Sequence, residues 1–166
     1  MCRSSVHQAP KREVFVCLDA PSRFVRDRRS RQLAAEWQTK GADIHFTLEQ
    51  VYSAWVAEET IVAPVTRIEK DVRLGGHYRL FVEMEDFTGV MNATYLEIEP
   101  NRKLVYTWEW NDDGEETTVT VNFTQKDDGC LVSLTHGDFQ KKESFERHSF
   151  GWGNYFDGLE KQLGDK

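Results

Sequence analysis

Cysteine is scarce and scattered in this chain. Cys2, Cys17 and Cys130 are the three present. They form no CxxC pair and no ligand-like spacing, which excludes a disulfide framework and a thiolate metal site. Free thiols fit a reducing cytosol, so a cytoplasmic location is expected. Long apolar runs are missing too. None approaches the ~18 residues of a membrane span, and the first residues lack the apolar centre of a secretory signal. Positive charge is in deficit: the net charge is −7, which argues against a nucleic-acid partner. There is no GxSxG, no phosphate loop and no dinucleotide fingerprint. Ser133, His136 and Asp138 are near neighbours, yet Ser133 and His136 fall on opposite faces of a strand. That is the wrong geometry for a catalytic triad.

Aromatic side chains are plentiful instead. Five Trp, five Tyr and ten Phe suffice to fill a core or to line a cavity for a flat ligand. The length of 166 residues suits one domain. Charge is unevenly spread. Residues 1–34 hold eight Lys and Arg against three Asp and Glu, a balance of +5, which leaves −12 for the remainder. The predicted organisation is therefore a basic N-terminal extension over 1–33, poorly ordered or loosely docked, and one acidic domain over 34–166. Glu13, Asp19 and Asp27 weigh against reading the extension as a transit peptide.

Along the domain, a first strand is expected over about 34–46, with Gly41 as a bulge. Thr47 and Gln50 have the spacing of a capping box at the start of a short helix. A strand over 67–74 would place Ile68, Val72 and Leu74 on one face and turn back at Gly75-Gly76. Strands over 77–85, 89–98, 103–110, 117–124 and 130–136 follow, separated by turn residues. The pattern is strongest at Lys103–Trp110, where Tyr106, Trp108 and Trp110 share a face. Residues 143–163 then repeat apolar positions at steps of three and four: Phe145, His148, Trp152, Tyr155, Phe156, Leu159 and Leu163. Regular hairpins argue for an antiparallel meander with one long helix laid across it. Gly151, Gly153 and Gly158 are costly in a helix and suggest close approach to the sheet or some compliance.

These segments resemble a known family. "TLEQVYSAW" at 47–55, "DVRLGGHYRL" at 71–80, "YLEIEPNRKLVYTWEW" at 95–110, "TTVTVNF" at 117–123, "LVSLTHGDF" at 131–139 and "HSFGWGNYFDGLEKQL" at 148–163 occur in the order seen in the START-like (SRPBCC) superfamily. Within it they look like the branch named after the C-terminal domain of the Hsp90 ATPase activator. The resemblance implies an α+β helix-grip fold, a curved antiparallel sheet wrapped around a long C-terminal helix, with a short helix after the first strand. It implies a hydrophobic cavity between sheet and helix. Relatives often carry a Trp after the first helix, where this chain has "TIVAPVTRIEKD", a departure that leaves open how one end of the cavity is closed. The chain has no room for a separate Hsp90-binding domain, and Hsp90 binding is not expected.

The function expected from the resemblance is binding of a hydrophobic or aromatic small molecule of lipid, polyketide or flavonoid type. The expected partners end there, with a monomer or homodimer and no cofactor. Tyr78, Tyr106, Trp108, Trp110, His136, His148, Trp152 and Phe156 are the candidate ligand-binding residues. Each has a packing alternative: the aromatics as core, and the two histidines as groups bonded to nearby backbone. A histidine metal site would need a third ligand, and His45 and His77 lack the spacing. Two other functions stand beside the first. One is an interaction module using the acidic surface. The other is a cyclase or dehydratase, which would require polar groups converging in the cavity, with His136 and His148 as its only members. The pattern favours a binder over an enzyme.

Overall fold

The computed structural model describes residues 36–165, so the basic extension lies outside the described residues. Seven strands and two helices follow in order: β1 (Glu36–Ile44), α1 (Leu48–Val56), β2 (Arg67–Lys70), β3 (His77–Met84), β4 (Phe87–Glu99), β5 (Lys103–Trp110), β6 (Thr117–Lys126), β7 (Gly129–Phe139) and α2 (Lys142–Gly164). The strands make one antiparallel sheet in the order β1-β7-β6-β5-β4-β3-β2. It curls as a half-barrel with α2 in its grip, the helix-grip architecture anticipated above.

Alternation along the strands decides which face is the core. Leu104, Tyr106 and Trp108 of β5 are buried, as are Val119, Val121 and Phe123 of β6 and Val132, Leu134 and His136 of β7. Register then builds rows across the sheet. Tyr106 faces Val119, which faces His136, and Leu104 faces Val121, which faces Leu134. On the helix side, Trp152, Phe156 and Leu159 close onto this surface. Each such side chain contributes about 1.5–3 kcal/mol when fully buried.

Two bulges shift the alternation. The pairs Glu36↔Phe139 and Gln38↔His136 leave one extra residue on β7, where Asp138 adopts φ 70°. The expected bulge at Gly41 is therefore misplaced: Gly41 pairs regularly with Ser133. The β7 bulge lets Phe139 turn inward after His136, so the strand runs on where a loop was expected. A second bulge, at Leu96 on β4, leaves that side chain exposed.

The expected strand over 67–74 stops at Lys70. Beyond it the backbone folds on itself, with Arg73 N–H donating to Asp71 C=O and Gly76 N–H to Arg73 C=O. A Cβ on Gly76 would lie 2.0 Å from the Asp71 carbonyl oxygen, so only glycine fits. Val72 and Leu74 consequently leave the core, and Leu74 is 72% exposed.

Helix α1 forms where its capping box predicts. Gln50 N–H donates to Thr47 Oγ1, and Thr47 N–H donates to Gln50 Oε1. Its far end lacks a basic residue of its own. Lys70 supplies one, donating from Nζ to the Trp55 and Ala57 carbonyls at 2.7 and 3.1 Å; burial pulls its pKa down to about 7 against the opposing pull of Glu58 and Glu59. The same ammonium sits over the Tyr78 ring.

Two of the helix glycines separate physically. A Cβ on Gly158 would fall 2.2 Å from Val62 Cγ1, whereas one on Gly151 meets nothing within 4 Å. Close approach therefore belongs to Gly158, not to Gly151. Gly158→Ala should lower stability by about 1–3 kcal/mol, the range for overpacking. Gly151→Ala should raise it by up to about 1 kcal/mol through helix propensity. Urea unfolding measures both. Val62→Ala should cost less in the Gly158→Ala background than alone, which identifies the clash.

Candidate functional site

Between β3, β5 and α2 lies a cavity of about 360 Å³, within the lower part of the range for small-molecule sites. Period-two positions supply the sheet side: Leu80, Val82 and Met84 from β3, and Trp108 and Trp110 from β5. Steps of three and four supply the helix side: Ser144, Arg147, His148, Gly151, Trp152 and Tyr155. The loop Val62–Val65 and Phe87 line it too, and Asn111, Asp113, Glu115 and Thr117 form its polar end. Met84, Phe87 and Arg147 are exposed, so the cavity reaches the surface. Val62–Val65 lies within the segment where relatives often carry Trp.

The eight candidate residues divide evenly. Trp108, Trp110, His148 and Trp152 line the cavity, while Tyr78, Tyr106, His136 and Phe156 do not. Tyr78 and Tyr106 are packed edge to face with centroids 5.5 Å apart, and burial pushes both phenols up. Phe156 lies against Trp55. His136 is fully buried against Phe139, its ring centroid 4.4 Å away.

The two histidines do converge, with ring centroids 4.8 Å apart, but as part of a closed hydrogen-bond chain. An indole N–H can only donate. Trp152 Nε1 lies 3.0 Å from His136 Nδ1, so Nδ1 is the acceptor and the proton sits on Nε2. That Nε2–H donates to Thr117 Oγ1 at 2.8 Å, and the hydroxyl donates to the Trp108 carbonyl at 2.8 Å. His148 Nε2 accepts from two indoles, Trp108 at 3.0 Å and Trp110 at 3.1 Å. Its Nδ1–H donates to the Ser144 carbonyl at 2.7 Å. Both imidazoles are thus neutral. Burial, with His148 beside it, pushes His136 down to about 2. Burial, aided by the Arg147 charge, also lowers His148.

Residues read as unremarkable in the sequence carry the polar end. Glu115 is buried and holds the start of α2, which has no side-chain cap of its own at Lys141. Its carboxylate accepts from Gln140 N–H at 2.8 Å, Lys141 N–H at 2.7 Å and Ser144 Oγ at 2.5 Å. Burial raises its pKa, but these donors outweigh burial and hold it below the usual carboxylate value. An acidic residue in a hairpin turn normally reads as solvated. The available signal was a long helix opening on Lys141-Lys142 with no capping residue. Glu115 is delivered by the turn at Asn111 and Asp112, both at positive φ. Among the described residues, no group of three or more His, Cys, Asp or Glu side chains is placed to hold a metal ion. Nor is any described helix long and apolar enough to cross a membrane.

A curled antiparallel sheet gripping a C-terminal helix, with a cavity between them, defines a START-like domain. The chain belongs to the family described as activator of Hsp90 ATPase homolog 1-like protein, whose model matches residues 45–164. The fold is similar to that of MLL2253 from Mesorhizobium loti, at TM-score 0.66 and 23% identity, covering 78% of this chain and 97% of that one. It is similar to CV1439 from Chromobacterium violaceum, at 0.67 and 17%, covering 76% and 96%. SA2116 from Staphylococcus aureus, described as a protein of unknown function, matches at 0.68 and 16%, covering 79% and 94%. At these identities the likeness is one of fold. No curated protein matches the chain.

The neutral histidines set a pH dependence. Below about 6.5 the unfolded chain protonates a histidine that the fold keeps neutral, so stability falls as pH falls. For His136 alone the loss from pH 7 to pH 5 should be about 2 kcal/mol, and His148 acts in the same direction. Glu115, held low, adds its own loss only at more acid pH. Urea unfolding at pH 7, 6 and 5 measures the slope, and His136→Gln should make it shallower.

Proposed function

We propose that the domain binds a flat, largely apolar small molecule between the sheet and α2. The observation that supports this reading is the 360 Å³ cavity itself. Aromatic rings and aliphatic side chains wall it, and it is open to the surface beside an otherwise close-packed core. Trp110 and Trp152 offer ring faces for stacking, and the apolar body of the ligand rests against Leu80, Val82 and Val65. The finer identities, lipid, polyketide or flavonoid-like, all share that apolar body. A cyclase or dehydratase finds less support, because His136 lies outside the cavity and both nitrogens of each histidine are already engaged.

Trp108 is a poor place to test binding. It packs against Trp110, His136, His148 and Trp152, and truncating a buried Trp to Ala costs about 3–5 kcal/mol. Gly151 is the better site, because it lines the cavity and a side chain there meets open space. The neutral fluorophore N-phenyl-1-naphthylamine should bind the wild-type protein and brighten. Gly151→Leu should weaken that binding by about tenfold or more while the melting temperature holds or rises. Absence of binding to the wild type, or equal binding to the variant, would count against this site.

A further inference from the structure

Several donors that line the cavity are without a full partner. Trp108 and Trp110 both direct an indole N–H at His148 Nε2, which has one lone pair. Each bond is therefore shared, and neither indole is fully satisfied. Arg147 lines the same cavity and brings five N–H donors. Among the described residues its one hydrogen bond is a 3.5 Å contact to Ser144 Oγ, and it joins no ion pair.

The nearby acceptors each have other partners. Glu115 serves two backbone N–H groups and a hydroxyl. Asp113 accepts from Lys141 Nζ at 2.9 Å and from Glu115 N–H at 3.0 Å. Asn111 Oδ1 accepts from Val90 N–H. Lys141 also lies 3.8 Å from Glu115, so one cation serves both local carboxylates. Arg147 acts on Asp113 only through space and, among the described residues, makes no ion pair, so its guanidinium lines the chamber without a direct anionic partner.

We infer that the ligand of this cavity is an amphipathic carboxylate, a flat apolar body with one anionic end, paired with Arg147 and accepting from the Trp110 indole. This rests on the reading of the cavity as a ligand site and adds the chemical class of its occupant. A planar guanidinium fork matches a carboxylate in a bidentate manner. A carboxylate also supplies the second acceptor that Trp110 and Trp108 now lack between them. The domain's overall negative charge does not oppose this at close range. Charges beyond about 8 Å are screened at physiological salt, and at the site itself Lys141 and Arg147 formally balance Asp113 and Glu115.

The test compares 2-naphthoate with its neutral isostere 2-naphthamide by calorimetry on the full chain. Wild-type protein should bind 2-naphthoate at least about tenfold more tightly, as a charge-assisted bond requires, and the preference should shrink as salt is raised. Arg147→Gln, at an exposed position that leaves the core intact, should abolish the preference, read as the ratio of the two affinities in the same variant. Arg147→Lys should retain part of it. Equal affinities in the wild type, no binding of 2-naphthoate, or a preference that survives in Arg147→Gln would overturn the carboxylate assignment. Binding of the neutral fluorophore N-phenyl-1-naphthylamine is read separately. If it persists in any of those cases, the cavity reading stands and the anion alone falls. If it fails as well, both fall.

Discussion

A single imidazole nitrogen, His148 Nε2, joins the helix to the sheet at the heart of this domain. Two indoles from β5 converge on it from below, and its own helix holds the ring from above through Ser144. Beside it, His136 receives the third indole, from Trp152 of α2. The two histidines thus exchange hydrogen bonds across the interface in opposite directions. Each requires its ring to be neutral, since a protonated nitrogen cannot accept. Inside a low-dielectric core an unmet donor is expensive, so this pair specifies the seat of α2 more sharply than apolar packing alone could. Hydrophobic contact would tolerate a shift of the helix along the sheet, whereas three indole bonds to two particular nitrogens would not.

With its seat specified, α2 does not need to press on the sheet along its whole length. Glu115 ties down its first turn, and near its other end Gly158 lets it approach Val62 too closely for any side chain. Lys40 reaches across from β1 to the Ser149 carbonyl. The cavity lies beside this stretch, between α2 and strands β3 and β5. A Cβ on Gly151 in that stretch would meet nothing within 4 Å. The same residue type therefore serves opposite purposes seven residues apart, closeness at Gly158 and openness at Gly151.

Most of the fold was legible because it is written in local periods. The alternation of β5, the three-and-four spacing of α2 and the capping box of α1 each state their structure within a dozen residues. Features that depend on tertiary partners were not legible. The bulge at Asp138 looks like a loop until β1 is laid beside β7. Val72 and Leu74 continue an alternating pattern, yet the backbone turns away because Gly76 can pass under the Asp71 carbonyl. The site shows the same division. Trp108, Trp110, His148 and Trp152 were readable from faces of single elements. Facing inward does not distinguish a cavity wall from a packed layer, and so Tyr78, Tyr106, His136 and Phe156 fell on the packed side. Glu115 and Arg147 were missed because their meaning comes from α2 arriving above the β5–β6 turn.

That arrival also explains why polar chemistry collects at one end of an apolar chamber. A helix N-terminus seated over a sheet presents unpaired N–H groups that must find acceptors. Here the acceptor comes from the sheet side, as Glu115, and a buried carboxylate needs compensating donors and charge of its own. Lys141 and Ser144 supply them from the first turn. The next turn then carries Arg147 and His148 at the rim of the same pocket. The polarity of the cavity is thus a consequence of how the fold anchors its helix: Glu115, Lys141 and Ser144 tie down the first turn, and Arg147 and His148 follow one turn later along the same wall.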